Sequence, residues 1–275
     1  MSGRRWHIFW ILLLTLSLNA QVQEILPRGI APAAADVAYI RKWQAWGNPA
    51  ALAHDSLYVL SAGYENRYLS PELHDAYLNI AVPTHYFNVG AAFNFFGFAD
   101  YHEMMVALTV SKRWGRAALG AEFDYFNMYI AQDAFYRHAF TAQVGLQVFI
   151  TDQCVLGFRL FNPLFSKVTG NNVARKLPVM ADLGCGYTFI RDIDLLAEIG
   201  YVLNQGFRWN IGLEYRILQQ VMARCGVRGY VQDGVSHFIP SLGAGIRFAG
   251  FGFDLAADFD YRIGVSLCSN LSFSF

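Results

Sequence analysis

Charged side chains are scarce in this sequence of 275 residues. Asp, Glu, Lys and Arg make up 15% of it, whereas about 25% is typical of soluble domains. Basic and acidic residues are equal in number, 21 of each, so no basic excess favours binding to nucleic acid. Hydrophobic residues reach 55% and aromatic residues 16%. This composition predicts a large apolar surface, either in a core or against lipid.

The sequence also lacks long hydrophobic runs. A membrane-spanning helix needs about 20 apolar residues, and no run reaches that length. The longest run, residues 8–18, follows Arg4 and Arg5 and precedes Ala20. This order predicts a secretory signal peptide over residues 1–20, with an uncleaved anchor as the alternative. Only helices and closed barrels satisfy their backbone hydrogen bonds in lipid. The sequence therefore predicts either a secreted all-β domain or an outer-membrane barrel.

Motifs for catalysis and metal binding are absent as well. The sequence contains no G-x-S-x-G, no H-E-x-x-H and no phosphate-binding glycine loop, so it predicts no enzyme and no cofactor. His138 and His237 could in principle serve a hydrolase at a barrel rim, but interfacial polar residues are the simpler interpretation. The cysteines have no close spacing, which argues against a metal site, although two disulfides remain open. They are Cys154, Cys185, Cys225 and Cys268.

What the sequence does contain is alternation of apolar and polar residues. Over residues 261–275 the apolar residues share one face of an extended strand, because successive side chains point to opposite faces. Similar alternation recurs in fourteen segments whose length suits a tilted strand across a bilayer, about 9–11 residues. These segments are 56–64, 76–83, 85–97, 101–112, 115–129, 137–150, 154–162, 176–190, 193–203, 206–217, 220–230, 236–248, 250–260 and 262–275.

The polar face of these segments carries charges of both signs, including Glu122, Asp124, Arg208 and Glu214. A barrel would place them in its lumen, where they can pair across strands. The aromatic residues, among them Trp43, Trp46, Trp114 and Trp209, are expected in girdles at the two membrane interfaces. We therefore predict an all-β fold, a transmembrane antiparallel β-barrel of about 14 strands over residues 56–275.

The connections support the barrel, because every even-numbered one is predicted to be tight. The longer ones, 65–75, 130–136, 163–175 and 231–235, all fall in odd places. Outer-membrane barrels have short periplasmic turns and longer external loops. The pattern predicts an even-stranded barrel in the bacterial outer membrane, with both termini in the periplasm.

Residues 21–55 do not alternate and are predicted to form a periplasmic or plug segment with a short helix. Asn48 is a good helix N-cap and Pro49 suits the first helical position. Ala50 and Leu52 are helix formers that follow them.

The Asn-Pro-Ala-x-Leu-Ala segment, the strand count and the terminal Phe together resemble the FadL-like outer-membrane barrels, in particular the PorV/PorQ group of the Bacteroidota. The resemblance covers roughly residues 25–275 and includes "GFRLFNPLFSK", "LGCGYTF", "NIGLEYRI", "ARCGVRG" and "SLGAGIRFAGFGFDLAADFDY". It implies that the segment around residues 40–55 enters the lumen as a plug. Leu271, Phe273 and Phe275 resemble the C-terminal signal that the barrel-assembly machinery recognises.

The resemblance implies two alternative functions. A PorV/PorQ-type barrel would be a non-enzymatic accessory of type IX protein secretion or of cell-surface attachment, with secretion components or cargo as partners. A FadL-like barrel would be a channel for hydrophobic small molecules. In either case the protein would be in contact with outer-membrane lipid.

Overall fold

A computed structural model describes residues 35–131, 135–170, 173–190, 192–232 and 235–275. The predicted signal peptide, residues 1–20, and the first part of the predicted plug segment lie outside the described residues. In the described part of the chain, no helix has the length and apolar character required to cross a membrane.

Fourteen strands form a closed antiparallel barrel, so the predicted fold class and strand number are confirmed. Two short 3₁₀ helices, Pro49–His54 and Arg67–Leu69, flank the first strand, and β8 and β9 form an additional hairpin. The strands are β1 (Val59–Asn66), β2 (His74–Pro83), β3 (Asn88–Phe98), β4 (Tyr101–Trp114), β5 (Ala117–Ile130), β6 (Phe135–Phe149), β7 (Cys154–Phe161), β8 (Lys167–Gly170), β9 (Val173–Lys176), β10 (Met180–Ile190), β11 (Ile193–Val202), β12 (Gly206–Arg216), β13 (Val221–Gln232), β14 (Val235–Phe248), β15 (Phe251–Asp260) and β16 (Gly264–Ser274).

The barrel closes where the first strand meets the last. β1 pairs with β2 on one side and with β16 on the other, from Val59 opposite Ser274 to Asn66 opposite Leu267. Every other barrel strand pairs with its sequence neighbours, except that β7 pairs directly with β10 across the β8–β9 hairpin. Over the described residues, closure gives each of the fourteen barrel strands a partner on both sides, which is the condition for a sheet to span lipid.

The connections alternate in length less than the sequence predicts. The predicted long connections 130–136 and 231–235 are wrong, because β5 and β6 pair as far as Ile130 and Phe135 and β13 and β14 as far as Gln232 and Val235. The predicted loop 163–175 contains the β8–β9 hairpin. We call the end of the barrel that carries residues 58 and 275 the terminal end, and the opposite end the distal end.

Each strand has one face outside the barrel and one face inside. In β12 the outward Phe207, Ile211 and Tyr215 are exposed, whereas the inward Asn210 and Glu214 are buried. The outward apolar residues run from Phe207 to Ile217, which in a strand tilted by about 40° makes a band about 25 Å tall. The outer surface therefore has the height and composition that suit the hydrocarbon core of a bilayer.

Aromatic rings and imidazoles stack around the distal end of the outer surface, across β1 to β6. Their positions at the strand ends are typical of an interfacial girdle. The rings in contact are Tyr64, His74, Phe95, His102, Tyr129, Tyr136, His138, Tyr125 and Phe140. The prediction that Trp43 and Trp46 belong to such a girdle is wrong, because both are buried inside the barrel, 4% and 2% exposed.

Candidate functional site

The chain between residues 35 and 55 lies inside the barrel, and we call it the luminal segment. Its helix begins as the sequence predicts: Asn48 is the N-cap, Pro49 is the first helical residue, and Asn48 Oδ1 accepts a hydrogen bond from the Ala50 amide at 3.0 Å. Pro49, Ala50 and Leu52 are buried against the barrel wall. The helix runs from Pro49 to His54 as a 3₁₀ helix.

Asn48 also joins the luminal segment to the wall. Its Nδ2 donates to the Val37 carbonyl at 2.6 Å and to the carbonyls of Leu146 and Phe158, both at 3.3 Å. Leu146 and Phe158 are paired residues of β6 and β7. One side chain thus holds a turn of the luminal segment and two barrel strands together, a contact that a hydrophobic residue could not make.

Glycines in the wall make room for this contact. Gly120 of β5 and Gly145 of β6 lie opposite each other. A Cβ at Gly120 would be 2.3 Å from the Pro49 carbonyl carbon, and a Cβ at Gly145 would be 1.9 Å from Asn48 Oδ1. The absence of side chains here lets the backbone of the luminal segment lie directly on the wall.

The part of the lumen around the two tryptophans is apolar, from Ala81 near the terminal end to Met128 near the distal end. Trp46 has φ 62°, in the left-handed region that a side chain of this size rarely adopts. The cluster is covered at the distal end by Val168 and Leu177, which belong to the connection between β7 and β10. We call it the tryptophan cluster; its buried members are Trp43, Ala45, Trp46, Ala51, Leu52, Ala81, Ala92, Met105, Ala107, Phe126, Met128, Ala139, Val168 and Leu177.

On the opposite side of the lumen, ion pairs hold the luminal segment. Arg159 of β7 donates to Asp182 of β10 at 2.9 and 3.0 Å, to Asp36 at 3.4 Å and to the Trp46 carbonyl at 2.8 Å. Arg159 is 3% exposed and Asp182 is 1% exposed. Removal of one partner from such a buried pair typically costs about 3–5 kcal/mol, because a charge is left uncompensated.

A second group of ion pairs surrounds Lys42. Its Nζ donates to Asn270 at 2.7 Å and lies 3.5 Å from Asp254, which also pairs with Arg224 and Arg247, both at 2.8 Å. Burial lowers the pKa of the Lys42 amine to about 8, although Asp254 opposes the shift. Arg224 further donates to Glu214 at 2.7 Å. The predicted pairing of lumen charges across strands is therefore present in the described residues.

The amino-terminal part of the luminal segment contacts the same charged wall. The Tyr39 hydroxyl donates to Glu214 at 2.9 Å, and the Val37 amide donates to Glu198 at 3.3 Å. Arg41 forms an ion pair with Asp194 of β11. The luminal segment is thus fixed by apolar contacts on one side and by ionic contacts on the other.

A cavity of about 410 Å³ lies between the luminal segment and the wall at the terminal end. Arg41, Lys42, Arg216, Arg224 and Arg247 line it together with serines and apolar residues of β1, β2 and β16. The luminal segment therefore borders a polar cavity at this end of the barrel.

The carboxyl-terminal residues seal the barrel at the terminal end. The Phe275 amide donates to the Tyr58 carbonyl at 3.0 Å, and the Tyr58 amide donates to the Phe275 carbonyl at 3.1 Å. The two rings stack with centroids 5.5 Å apart. Leu271 and Phe275 are exposed on the outer surface, and Phe273 packs on Phe251 there. The role of these residues as an assembly signal stays a prediction.

The described residues contain no group of three or more metal-ligating side chains that could hold a metal ion. His138 contacts Tyr125 and Asn127, and His237 contacts Arg262. All four cysteines carry free thiols.

The closed barrel of fourteen strands is similar in fold to the FadL-type outer-membrane barrels. The Pseudomonas putida toluene transporter TodX superposes with a TM-score of 0.70 at 12% identity, over 89% of this chain and 96% of TodX. A Pseudomonas aeruginosa FadL homologue gives a TM-score of 0.63 at 13% identity, over 91% of this chain and 98% of that one. The Ralstonia pickettii toluene transporter TbuX gives 0.63 at 10% identity, over 90% of this chain and 99% of that one.

These similarities establish the fold. No protein-family model matches the sequence, and no curated protein sequence matches it. Two of the similar proteins are toluene transporters and the third is a FadL homologue, but at 10–13% identity they show the fold alone. The prediction of a non-enzyme stays a prediction. The finer resemblance to the PorV/PorQ group stays a prediction.

Proposed function

We propose that the protein is an outer-membrane channel that admits small hydrophobic molecules. The tryptophan cluster carries this proposal, because it places an apolar surface inside a barrel whose lumen is otherwise polar or charged. Ligand sites are typically apolar cavities with a few polar groups. The fold is shared with two toluene transporters, and their substrates suggest monoaromatic hydrocarbons as the first compounds to test.

In this proposal the luminal segment is a plug that stops ions while hydrophobic molecules enter at the distal end. The outward apolar band is in contact with outer-membrane lipid. Both termini lie at the periplasmic end, and the barrel-assembly machinery reads the C-terminal strand. Deletion of residues 35–55 should produce a steady ion conductance in planar bilayers, and a closed barrel after the deletion would contradict the plug.

Transport is tested with purified protein in liposomes and radiolabelled toluene. Ala107 lies in the tryptophan cluster and is 0% exposed, so the larger side chain of Ala107→Phe should disturb the packing of the cluster and reduce uptake. The matched control is Ala62→Phe, because Ala62 faces outward on β1. The channel is ruled out if wild-type protein admits no more toluene than empty liposomes do. Equal uptake by the two variants would place the site elsewhere in the barrel.

A second candidate function follows from the sequence resemblance to the PorV/PorQ group. Among the described distal connections, only residues 67–73 and the stretch that contains β8 and β9 are longer than a few residues, which leaves little external surface for substrate capture. This favours an accessory of type IX secretion or surface attachment. The test is deletion of the gene, followed by analysis of proteins with type IX sorting domains. Normal surface delivery and processing in the mutant would exclude this role.

A further inference from the structure

The cavity at the terminal end has a mostly basic lining, and we call it the terminal cavity. Its volume of about 410 Å³ lies within the range of about 300–1,000 Å³ that is usual for small-molecule sites. Among the described residues that line it, two side chains are acidic, Asp55 and Glu214, and five are basic. The basic residues are Arg41, Lys42, Arg216, Arg224 and Arg247.

Four of these basic side chains are open rather than packed away. The exposed fraction of the side chain is 35% for Arg41, 31% for Arg247 and 17% for both Lys42 and Arg216. A ligand in the terminal cavity can therefore contact their charged groups without displacing core side chains.

The carboxylates that pair with these basic groups are themselves buried. The side chains of Asp194, Glu214 and Asp254 are 9%, 1% and 0% exposed. Each of the three pairs with at least two of the five basic side chains. Five basic groups thus share three buried carboxylates, which leaves an excess of positive charge on the lining.

Two further carboxyl groups nearby offset little of this excess. Asp192 lies 3.7 Å from Arg216, but its side chain is 60% exposed, so solvent and salt screen the pair. Burial raises the pKa of Asp55 to about 7, although Lys42 opposes the shift. Asp55 is therefore only partly ionised at neutral pH.

The surroundings of Lys42 reflect the same excess. Burial lowers the pKa of its amine to about 8; Asp254 opposes this shift, whereas Arg247 and Arg224 lower the pKa further. Two like charges therefore act on Lys42 in addition to one carboxylate. An anion in the terminal cavity would compensate all three cations at once.

The basic groups also converge in pairs, each with one member on the luminal segment and one on the wall. Lys42 and Arg247 both contact Asp254, at 3.5 and 2.8 Å. Arg41 and Arg216 both pair with one carboxylate of β11. An anion bound by these groups would join the luminal segment to β12 and β14.

We propose that the terminal cavity binds a small organic phosphate, and that the bound phosphate strengthens docking of the luminal segment. Guanidinium groups suit phosphate because they can donate two parallel hydrogen bonds to it, and a dianion compensates more of the excess charge than a carboxylate does. The apolar residues of the lining, among them Leu57 and Met222, contact the organic part. This inference goes beyond the proposed channel and does not depend on the tryptophan cluster.

The binding test uses phenyl phosphate, inorganic phosphate and the neutral benzyl alcohol. Binding to the full-length protein in a phosphate-free maltoside detergent is measured at pH 7.5 by isothermal titration calorimetry. Phenyl phosphate should bind at least about 10-fold more tightly than benzyl alcohol, and its affinity should fall as the salt concentration rises. Inorganic phosphate should bind more weakly than phenyl phosphate, and tighter binding of the inorganic ion would overturn an organic ligand.

Variants locate the site. Arg247→Gln should weaken binding of phenyl phosphate by about 10-fold or more. The matched control is Arg262→Gln at the distal end, because the Arg262 side chain is similarly exposed, 34%, and also lies near an aspartate; it should leave the affinity unchanged. If Arg247→Gln does not fold, Arg41→Gln on the luminal segment replaces it.

Protease cleavage of the luminal segment tests the effect on docking. A ligand that binds only the docked state should lower the undocked population about 100-fold at 100 times its Kd, so phenyl phosphate should slow cleavage. Unchanged cleavage at saturation would overturn the link to docking. Equal binding of phenyl phosphate and benzyl alcohol, or affinity unchanged in both Arg247→Gln and Arg41→Gln, overturns the site itself. Toluene uptake is measured separately, so neither result bears on the channel.

Discussion

The contact between Gly120 and the luminal segment yields a sharp prediction, because only backbone atoms face this glycine. A Cβ at this position would be 2.3 Å from the Pro49 carbonyl carbon and 2.5 Å from the Ala50 nitrogen. No side-chain rotation can relieve such a clash. Gly120→Ala must therefore shift the luminal segment by about 1 Å to reach ordinary van der Waals contact.

That shift acts on the hydrogen bonds that hold the segment to the wall. The Trp46 amide donates to Glu122 at 3.0 Å, and Asn48 donates to Leu146 and Phe158 at 3.3 Å. Each bond contributes about 0.5–1.5 kcal/mol net, so the loss of all three weakens docking by about 2–4 kcal/mol. The ratio of undocked to docked segment should then rise by roughly 30-fold to 1,000-fold.

The assay is single-channel recording in planar bilayers, together with protease cleavage of the luminal segment. Gly120→Ala should open more often and be cleaved faster than wild-type protein. The control is Gly243→Ala on β14, where the added Cβ would meet the Leu255 carbonyl oxygen at 3.0 Å and no atom of the luminal segment. If Gly120→Ala and Gly243→Ala open equally often, the absence of a side chain at Gly120 is not what lets the luminal segment lie on the wall.

Three other predictions concern the lipid face, the lumen and pH. Leu255 faces outward near the middle of β15 and is 49% exposed. Leu255→Arg should lower the free energy of unfolding in vesicles by about 2–4 kcal/mol. An unchanged free energy of unfolding in urea titrations would contradict contact with lipid. Arg159→Met should lower the same quantity by about 3–5 kcal/mol, because Asp36 and Asp182 lose their shared guanidinium, and a variant as stable as wild type would contradict this. Burial raises the pKa of Asp55 to about 7, and Lys42 opposes the shift. The folded state therefore favours the protonated acid. Docking of the luminal segment should weaken as the pH rises from about 4 to 7. Protease cleavage of the segment measured across that range should depend on pH in the wild type and be nearly independent of it in Asp55→Asn.

The barrel could be predicted from the sequence because its signal is local. Side-chain direction in a strand has a period of two. Residues such as Phe207, Ile211 and Tyr215 can therefore be placed on one face from the sequence of that strand alone. The β8–β9 hairpin was missed although its Gly-Asn-Asn sequence at residues 170–172 is a turn signal. The strands on either side are only four residues long, too short for alternation to be recognised.

The contacts of the luminal segment with the wall could not be predicted from the sequence, because they join residues far apart in the chain. The cap made by Asn48 follows from its neighbours, but its bonds to Leu146 and Phe158 join residues about 100 positions apart. The sequence predicts Trp46 at a membrane interface, but an aromatic side chain is equally suited to a buried position in the lumen. The sequence predicts that Asp124 lines the lumen, but not that it lies beside the Trp46 indole of the luminal segment.

The pairing of β1 with β16 has a consequence for biogenesis. β1 is synthesised long before β16, so one edge of β1 has no partner until the end of synthesis. During that time this edge can pair with the wrong strand. A nascent chain of this topology cannot complete its fold as it emerges. Its first thirteen barrel strands have to avoid mispairing until the fourteenth is made, and slow formation of the last strand would delay closure of the whole barrel.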